Sequence, residues 1–484
     1  MTSDVAEHGA EARTGWRQNP WLSLVVLALG FFLTMLDVSI VNIAIPDLRG
    51  DFGTSLPTVL WAVNAYVLVV AVLLMTAGRL GDLYGPRRLF VAGTIIFTVF
   101  SLLCGLAQSP GQLIAARALQ GLGAALMLPQ TMSMIVNLFP PTRRGLALGI
   151  WGAVGGVAAI SGPALGGALV TALDWRWIFL VNVPIGVAAV ALTFLVVPDL
   201  RFDRRHRLDV VGIVLASAAL FCLTFALMEG ERFDWAPWIL AMLGAALVLG
   251  AALIWQQGRR QDAEPLVPFA LFELRSYRAM VLVAASVSFG IIGFMLVMTL
   301  FFQSVLGFSA LAAGLALAPP AVLSTLLAPF AGKLTDRLDG RLLLLIGLVL
   351  TLAGMGWAVT AMHLDAQWLS FLGPMLVIGV GNGLLIAPMA AVAMREVQPP
   401  LAGAASGLMN TIRQLGQVAA ITLVGLLLAQ RLAAWPDGAA PDGPYADALR
   451  LGMALPAGAI LVGIVACLPA AAAVLRNPAP TDAP

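Results

Sequence analysis

Gly78-Arg79-Leu80-Gly81-Asp82-Leu83-Tyr84-Gly85-Pro86-Arg87-Arg88 sits between two long apolar runs. A second copy, Gly332-Lys333-Leu334-Thr335-Asp336 followed by Arg337 and Arg341, sits between two others roughly 255 residues later. A further echo keeps nearly the same offset: Pro140-Pro141 opens one apolar run as Pro399-Pro400 opens another. Both copies carry their cations and their aspartate in the same order, so both lie on the same side of whatever the apolar runs cross. That is a parallel repeat, two like-oriented halves related by an axis along a membrane normal. Six spans need only about 190 residues here, at roughly 20 apolar residues per helix plus short loops. The offset therefore leaves room for two additional spans between the halves.

The 484 residues are 60% hydrophobic and 11% charged, whereas a soluble domain carries about a quarter charged residues. A soluble core of this size could not hide so much apolar surface, so the expected fold class is an all-α polytopic membrane protein. Fourteen spans are predicted near 22–46, 56–77, 89–107, 111–136, 146–170, 177–197, 210–228, 236–256, 279–305, 311–331, 342–362, 368–394, 403–429 and 453–475. Twenty of the twenty-seven Lys and Arg residues then fall on one side. Five (Arg49, Arg176, Arg232, Arg431, Arg450) fall on the other, and Arg117 and Arg413 lie inside spans. Excess cations mark cytoplasmic loops, so both termini are expected in the cytoplasm. The expected organisation is an arm 1–20, a first six-helix half 21–200, two additional helices 201–260, a second half 261–476 and a tail 477–484. The outer loop 430–452, with Pro436, Gly438, Pro441, Gly443 and Pro444, is expected to be irregular.

Several function classes drop out. A net charge of +2 gives no nucleic-acid footprint. Cys104, Cys222 and Cys467 lie in three different spans without disulfide or metal spacing, so no metal site is expected. No Walker loop is present, which argues against ATP hydrolysis, and no catalytic residues are assigned. A cleavable leader is not expected, because the apolar run from Trp21 is too long for a signal h-region. Arg outnumbers Lys twenty-six to one, a bias of GC-rich bacterial genomes.

The motifs together carry a family resemblance. Gly78 to Arg88 resembles the loop signature of the major facilitator superfamily. Leu36-Asp37-Val38-Ser39 through Pro46 resembles the first-helix signature of its fourteen-helix drug/proton antiporter branch. Arg117-Ala118-Leu119-Gln120-Gly121 resembles the arginine motif of helix 4, and Gly162-Pro163-Ala164-Leu165-Gly166-Gly167 the antiporter motif of helix 5. Trp175-Arg176-Trp177 with Asn182 and Pro184, and Pro265-Leu266-Val267-Pro268, are also similar to that branch. The resemblance covers nearly the whole chain. It implies the major facilitator fold, proton-coupled export of small amphipathic compounds, and a place in the bacterial cytoplasmic membrane. The proton gradient would replace any cofactor, and nothing indicates a periplasmic adaptor.

The residues suggest roles. Asp37 is the one carboxylate well inside a span of the first half, and intramembrane acids mark functional paths. At about 1.5 Å per residue, Asp37 lies roughly 13 Å and Arg117 roughly 9 Å from the same face, so a direct or water-bridged, proton-switchable pair is expected. Trp61, Asn64, Tyr66 and Gln120, with Phe294 and Met298, are assigned to a substrate cavity. Asn410, Arg413, Gln414 and Gln417 join them, because their i, i+3, i+4, i+7 spacing makes a polar stripe on one helical face. That stripe holds no acid, which argues against dication export. Gly78, Arg79, Gly81, Asp82, Arg87 and Arg88 are expected to gate: Asp82 meets a helix N-terminus of the other half while Arg87 competes for it. Asp336 is its repeat, in a degenerate copy where Asp339 replaces Gly85. The resemblance makes Gly162, Pro163, Gly166 and Gly167 a tight, leak-proof seam. Multidrug efflux is the leading reading. A dedicated exporter of one metabolite, antibiotic or lipid is a second, and a non-transporting receptor on this scaffold a third.

Overall fold

The structure is a computed structural model that describes residues 19–199, 208–261, 265–432 and 443–476. Residues 1–18 of the expected N-terminal arm, Arg201, Arg204, Arg205 and Arg207, residues 433–442 of the outer loop, and the tail lie outside the described residues. Helices make up nearly everything else. In chain order the long ones are α1 Pro20–Phe52, α2 Leu56–Tyr84, α3 Pro86–Gly105, α4 Pro110–Leu138, α5 Pro141–Ala172, α6 Trp177–Val196, α7 Val210–Glu229 and α8 Pro237–Gly258. They continue with α9 Arg275–Val305, α10 Ala318–Thr335, α11 Gly340–Ala361, α12 Leu369–Met394, α13 Ala402–Leu432 and α14 Ala454–Arg476.

Thirteen helical segments among the described residues are long and apolar enough to cross a membrane. The tenth predicted span, 311–331, is the exception. Its chain is split into Ala310–Ala316 and α10, and α10 holds Pro319, Pro320, Pro329 and Lys333. Those residues lower its apolar content without preventing it from packing along α5, an arrangement compatible with fourteen spans. The outer loop differs from expectation. Gly443–Gly452 is helical, buries Ala446 and Leu449, and is tied down where Arg450 Nε donates to Met362 O at 2.6 Å.

Local chemistry sets the helix ends. Proline occupies the first turn of α1, α3, α4, α5 and α8, where its missing N–H costs nothing. Gly85 separates α2 from α3 at φ +93°, a conformation that side chains strongly disfavour. Asp209 caps α7 through Gly212 N at 3.0 Å and also accepts from Gln256 Nε2, Gln257 Nε2 and Arg260 Nη1 at 2.9, 2.6 and 3.2 Å. Burial pushes its carboxyl pKa up, but the donors from Gly212, Gln257, Gln256 and Arg260 outweigh that and hold it below the ordinary value.

α1–α6 pack on one another, as do α9–α14, and the two groups meet along two seams. One seam is α2 against α13; the other, its repeat-related partner, is α5 against α10. Helix α7 lies across the first seam. Asn64 Nδ2 of α2 donates to Glu229 Oε1 at 3.2 Å, and Thr422 Oγ1 of α13 donates to Leu227 O at 2.8 Å. α8 packs on α7 and is otherwise largely exposed in the structure, as a lipid-facing helix would be.

Candidate functional site: a buried ion pair, paired latches and a central cavity

Arg117 Nη1 lies 2.6 Å from Asp37 Oδ2, with both side chains fully buried. The pair is embedded in a polar cluster. Gln120 Nε2 donates to Asp37 Oδ1 at 2.9 Å, and Arg117 donates to Gln120 Oε1 at 2.7 Å and to Ala62 O at 2.9 Å. Asn182 Nδ2 reaches Asp37 Oδ1 at 3.4 Å and Ser101 Oγ at 3.1 Å. The guanidinium sits 4.3 Å from the Tyr66 ring centroid. Burying two charges is costly unless hydrogen bonds satisfy what the pair leaves over, and this cluster supplies them. Proton transfer to Asp37 would discharge the pair and leave Arg117 with only neutral acceptors.

Two further contacts join the halves at the repeated loops. Asp82 Oδ1 and Oδ2 accept from Gly403 N and Ala404 N, both at 2.7 Å, at the start of α13. Asp336 Oδ1 and Oδ2 accept from Gly145 N at 2.7 Å and Leu146 N at 2.9 Å, in the first turns of α5. Each carboxylate thus meets two backbone N–H groups near the positive end of a helix from the opposite half. The degenerate second copy holds the same geometry, because the contact needs only an aspartate and two backbone N–H groups near a helix start, not the glycine that Asp339 replaces. Asp339 instead caps α11 by accepting from Arg341 N at 2.9 Å. Arg87 does not compete for Asp82: it donates to Phe194 O at 3.0 Å, on α6. Arg79 is the cation nearest Asp82, at 3.9 Å, and Arg88 is exposed.

The latches are possible because the backbones touch. A Cβ on Gly78 would overlap Gly403 O, and one on Gly145 would overlap Gly332 O. The glycines of the expected tight seam divide between close packing and open space. Gly162 and Gly166 face Ser39 and Ile40 of α1 within the same half, and Gly167 has nothing within 4 Å. Pro163 sits inside α5 beside them. The seam between halves is built lower on α5, from Gly145 and Gly149 against α10.

A cavity of about 280 Å³ lies between the halves, starting about 10 Å along α5 from the Asp336 latch. Phe31, Met35, Trp151, Phe294, Met295, Ser324, Met355, Asn382 and Arg413 are among its lining residues. Phe31 stacks on Trp151 with centroids 4.0 Å apart. The structure brings Phe294 and Arg413 to this wall, but not the other expected cavity residues. Met298 is fully buried and does not line it, and Gln120 and Tyr66 belong to the Asp37 cluster. Trp61 lies 5.8 Å from Phe225 of α7. Asn64 lines a separate lateral cavity of about 260 Å³ between α2, α7 and α13. Asn410 donates back to Ser406 O at 2.9 Å; Gln414 and Gln417 are partly buried and line neither cavity.

Sequence reasoning passed over Ser101, Gln130, Trp151 and Glu229. Gln130 Nε2 donates to Ala77 O at 2.8 Å and fills the space left by Gly81. The signal for Ser101 and Gln130 was available, since a polar side chain in an apolar helix needs a partner. Glu229 stands one residue past the predicted span 210–228, so its burial was not visible from the span boundaries.

A family model described as Major Facilitator Superfamily matches residues 27–421. The chain is 34% identical to the multidrug resistance protein Stp of Mycobacterium tuberculosis over 85% of this chain and 76% of that one. It is 32% identical to the tetracenomycin C resistance and export protein of Streptomyces glaucescens, over 92% and 85%. Among solved structures, the human organic anion transporter MFSD10 superimposes with a TM-score of 0.68, covering 93% of this chain and 99% of that one; at 12% identity this likeness is one of fold alone.

Proposed function

The chain belongs to the Major Facilitator Superfamily, and from that premise we propose that it is a proton-coupled antiporter exporting hydrophobic or amphipathic small molecules. It is a polytopic membrane protein. We place it in the bacterial cytoplasmic membrane with the latched, Arg-rich face and both termini in the cytoplasm. The observation that carries the coupling is the fully buried Arg117–Asp37 pair at 2.6 Å. Relatives that share most of the chain's length and are named for multidrug resistance and antibiotic export support the direction of transport.

In the proposed cycle the latches hold the cytoplasmic face closed while the central cavity opens outward. A proton from outside neutralises Asp37. The bond to Arg117 weakens, the α1–α4 contact relaxes, substrate affinity falls and the substrate leaves. The latches then release, the cavity turns inward, and Asp37 loses its proton to the cytoplasm and re-forms the pair. The energy comes from the proton gradient, with no cofactor. Broad-specificity efflux is favoured over a dedicated single-compound role because the cavity wall is built from Met and aromatic side chains, which adapt to varied ligands.

The deciding measurement is substrate-evoked proton release from detergent-solubilised protein, together with uphill export in energised vesicles. Wild type is expected to do both. Asp37→Asn is expected to release no protons and to lose accumulation while keeping downhill exchange. A variant that still releases protons and exports uphill would remove Asp37 from the coupling path.

A further inference from the structure

We infer that the central cavity selects aromatic compounds that carry an anionic or strongly accepting oxygen over compounds that carry a cation. This deepens the exporter reading and rests on it for calling the ligand a substrate. Three observations carry it. Among the described residues, Arg413 is the only charged one lining the cavity. Among the described residues its guanidinium makes no ion pair, and its hydrogen bond is a long one, 3.4 Å to the neutral Asn410 Oδ1. Trp151, also in the lining and only 4% exposed, has a buried Nε1 with no hydrogen-bond partner. The cavity therefore has one under-used charged donor in its wall, a second unpartnered donor buried on a lining side chain, and no carboxylate among its described lining residues.

The nearby acids cannot reverse this balance. Asp37 is fully buried and already bonded to Arg117, Gln120 and Asn182. Glu229 is buried against Asn64 and Arg232 beside the other, lateral cavity, and Glu231 lines that cavity. In a low-dielectric pocket a fixed guanidinium repels a cation strongly and holds a carboxylate or phenolate oxygen by a charge-assisted bond. The stacked Phe31 and Trp151 rings and the Phe294 ring supply an apolar wall for a planar body.

The test is calorimetric binding to the purified full chain in detergent, with three probes of one shape: 2-naphthoate, its neutral carboxamide, and 2-naphthyl-trimethylammonium. Wild type is expected to bind the anion at least about tenfold more tightly than the cation, with the amide between, as one charge-assisted bond implies. Arg413→Gln should abolish the preference and Arg413→Lys should keep most of it. Asn382→Asp, a same-shape change that adds a carboxylate to the wall, should cancel or invert it. That variant decides the matter if Arg413→Gln does not fold. Equal binding of anion and cation by wild type, or an unchanged preference in Arg413→Gln or Asn382→Asp, overturns the inference. Binding needs no transport, so selective binding without proton-driven export would uphold the selectivity and remove the exporter reading instead.

Discussion

Asp336 does for α5 what Asp82 does for α13. Each carboxylate spans two backbone N–H groups in the first turns of a helix from the opposite half, at 2.7 to 2.9 Å. The repeat has thus produced two like contacts on one face, which the proposed cycle uses as locks. Losing the charge at either should cost the closed state about 1–2 kcal/mol, from a charge-assisted bond and the helix-end interaction. Asp82→Asn and Asp336→Asn are each expected to raise the population open at that face roughly 5- to 30-fold, with the two effects adding in the double variant. Spin labels at Tyr84 and Gln398, exposed on that face in opposite halves, read the separation. Unchanged distance distributions in both single variants would reduce the latches to incidental contacts.

Asp37→Asn leaves Arg117 buried without its counter-charge, which typically costs 3–5 kcal/mol. Arg117→Gln should cost a similar amount, and Asp37→Asn/Arg117→Gln less than the two together, because the second change removes the stranded charge. Thermal melts of the four proteins give the coupling. Strict additivity would mean the two groups do not interact as the 2.6 Å contact requires.

Gly78→Ala and Gly145→Ala place a methyl group into Gly403 O and Gly332 O. Both are backbone atoms that cannot step aside, so the seams must part and transport should fall steeply at unchanged expression. Gly167→Ala, with nothing within 4 Å, should stay within about 0.5 kcal/mol of wild type and retain full transport. A wild-type rate in Gly78→Ala would refute the close-packed seam.

Asp209 gives a pH dependence of definite sign. Its carboxyl pKa is held below the ordinary value, so its stabilisation is present above the usual carboxylate range, near pH 4, and is lost as pH falls through the lowered value. Melting temperatures measured from pH 6 down to pH 3 should drop more in wild type than in Asp209→Asn. The variant should be less stable by about 1–2 kcal/mol at pH 6. Parallel curves would show that the cap contributes nothing.

Orientation is open to a simple check. In a cysteine-free background, Gln398→Cys should be labelled from the cytoplasm and Gln108→Cys from outside by an impermeant maleimide. Both positions are exposed and near helix ends. Reversed labelling would invert the charge-based topology.

How far the sequence could be read depended on whether a feature needed one dimension or three. The Arg117–Asp37 contact needed only depth, and rise per residue supplies depth. The Asp82 latch followed from a repeated motif and the rule that carboxylates seek helix N-termini. The cavity wall was less legible. Arg413, Gln414 and Gln417 share a helical face, yet only Arg413 reaches the cavity, because rotation of α13 against its neighbours is set by packing partners far away in sequence. Gln120 belongs to the ion-pair cluster and not to the cavity, because its partner is the carboxylate eighty-three residues earlier. Arg87 was misplaced for the converse reason: its acceptor, Phe194 O, is a backbone atom that no motif announces. The tenth span was visible as a run but not as a helix break, since its prolines are compatible with either.

Helix α7 holds Asn64 of one half through Glu229 and Thr422 of the other through Leu227 O. A strut bolted to both leaves of a hinge cannot follow both when they swing apart. Each opening and closing that separates α2 from α13 at this level must break one of those bonds or drag the α7–α8 hairpin along as cargo. In the proposed cycle the two additional helices would act as a brake on the swing, and shortening or loosening them would change how fast the machine runs before it changed what the machine carries.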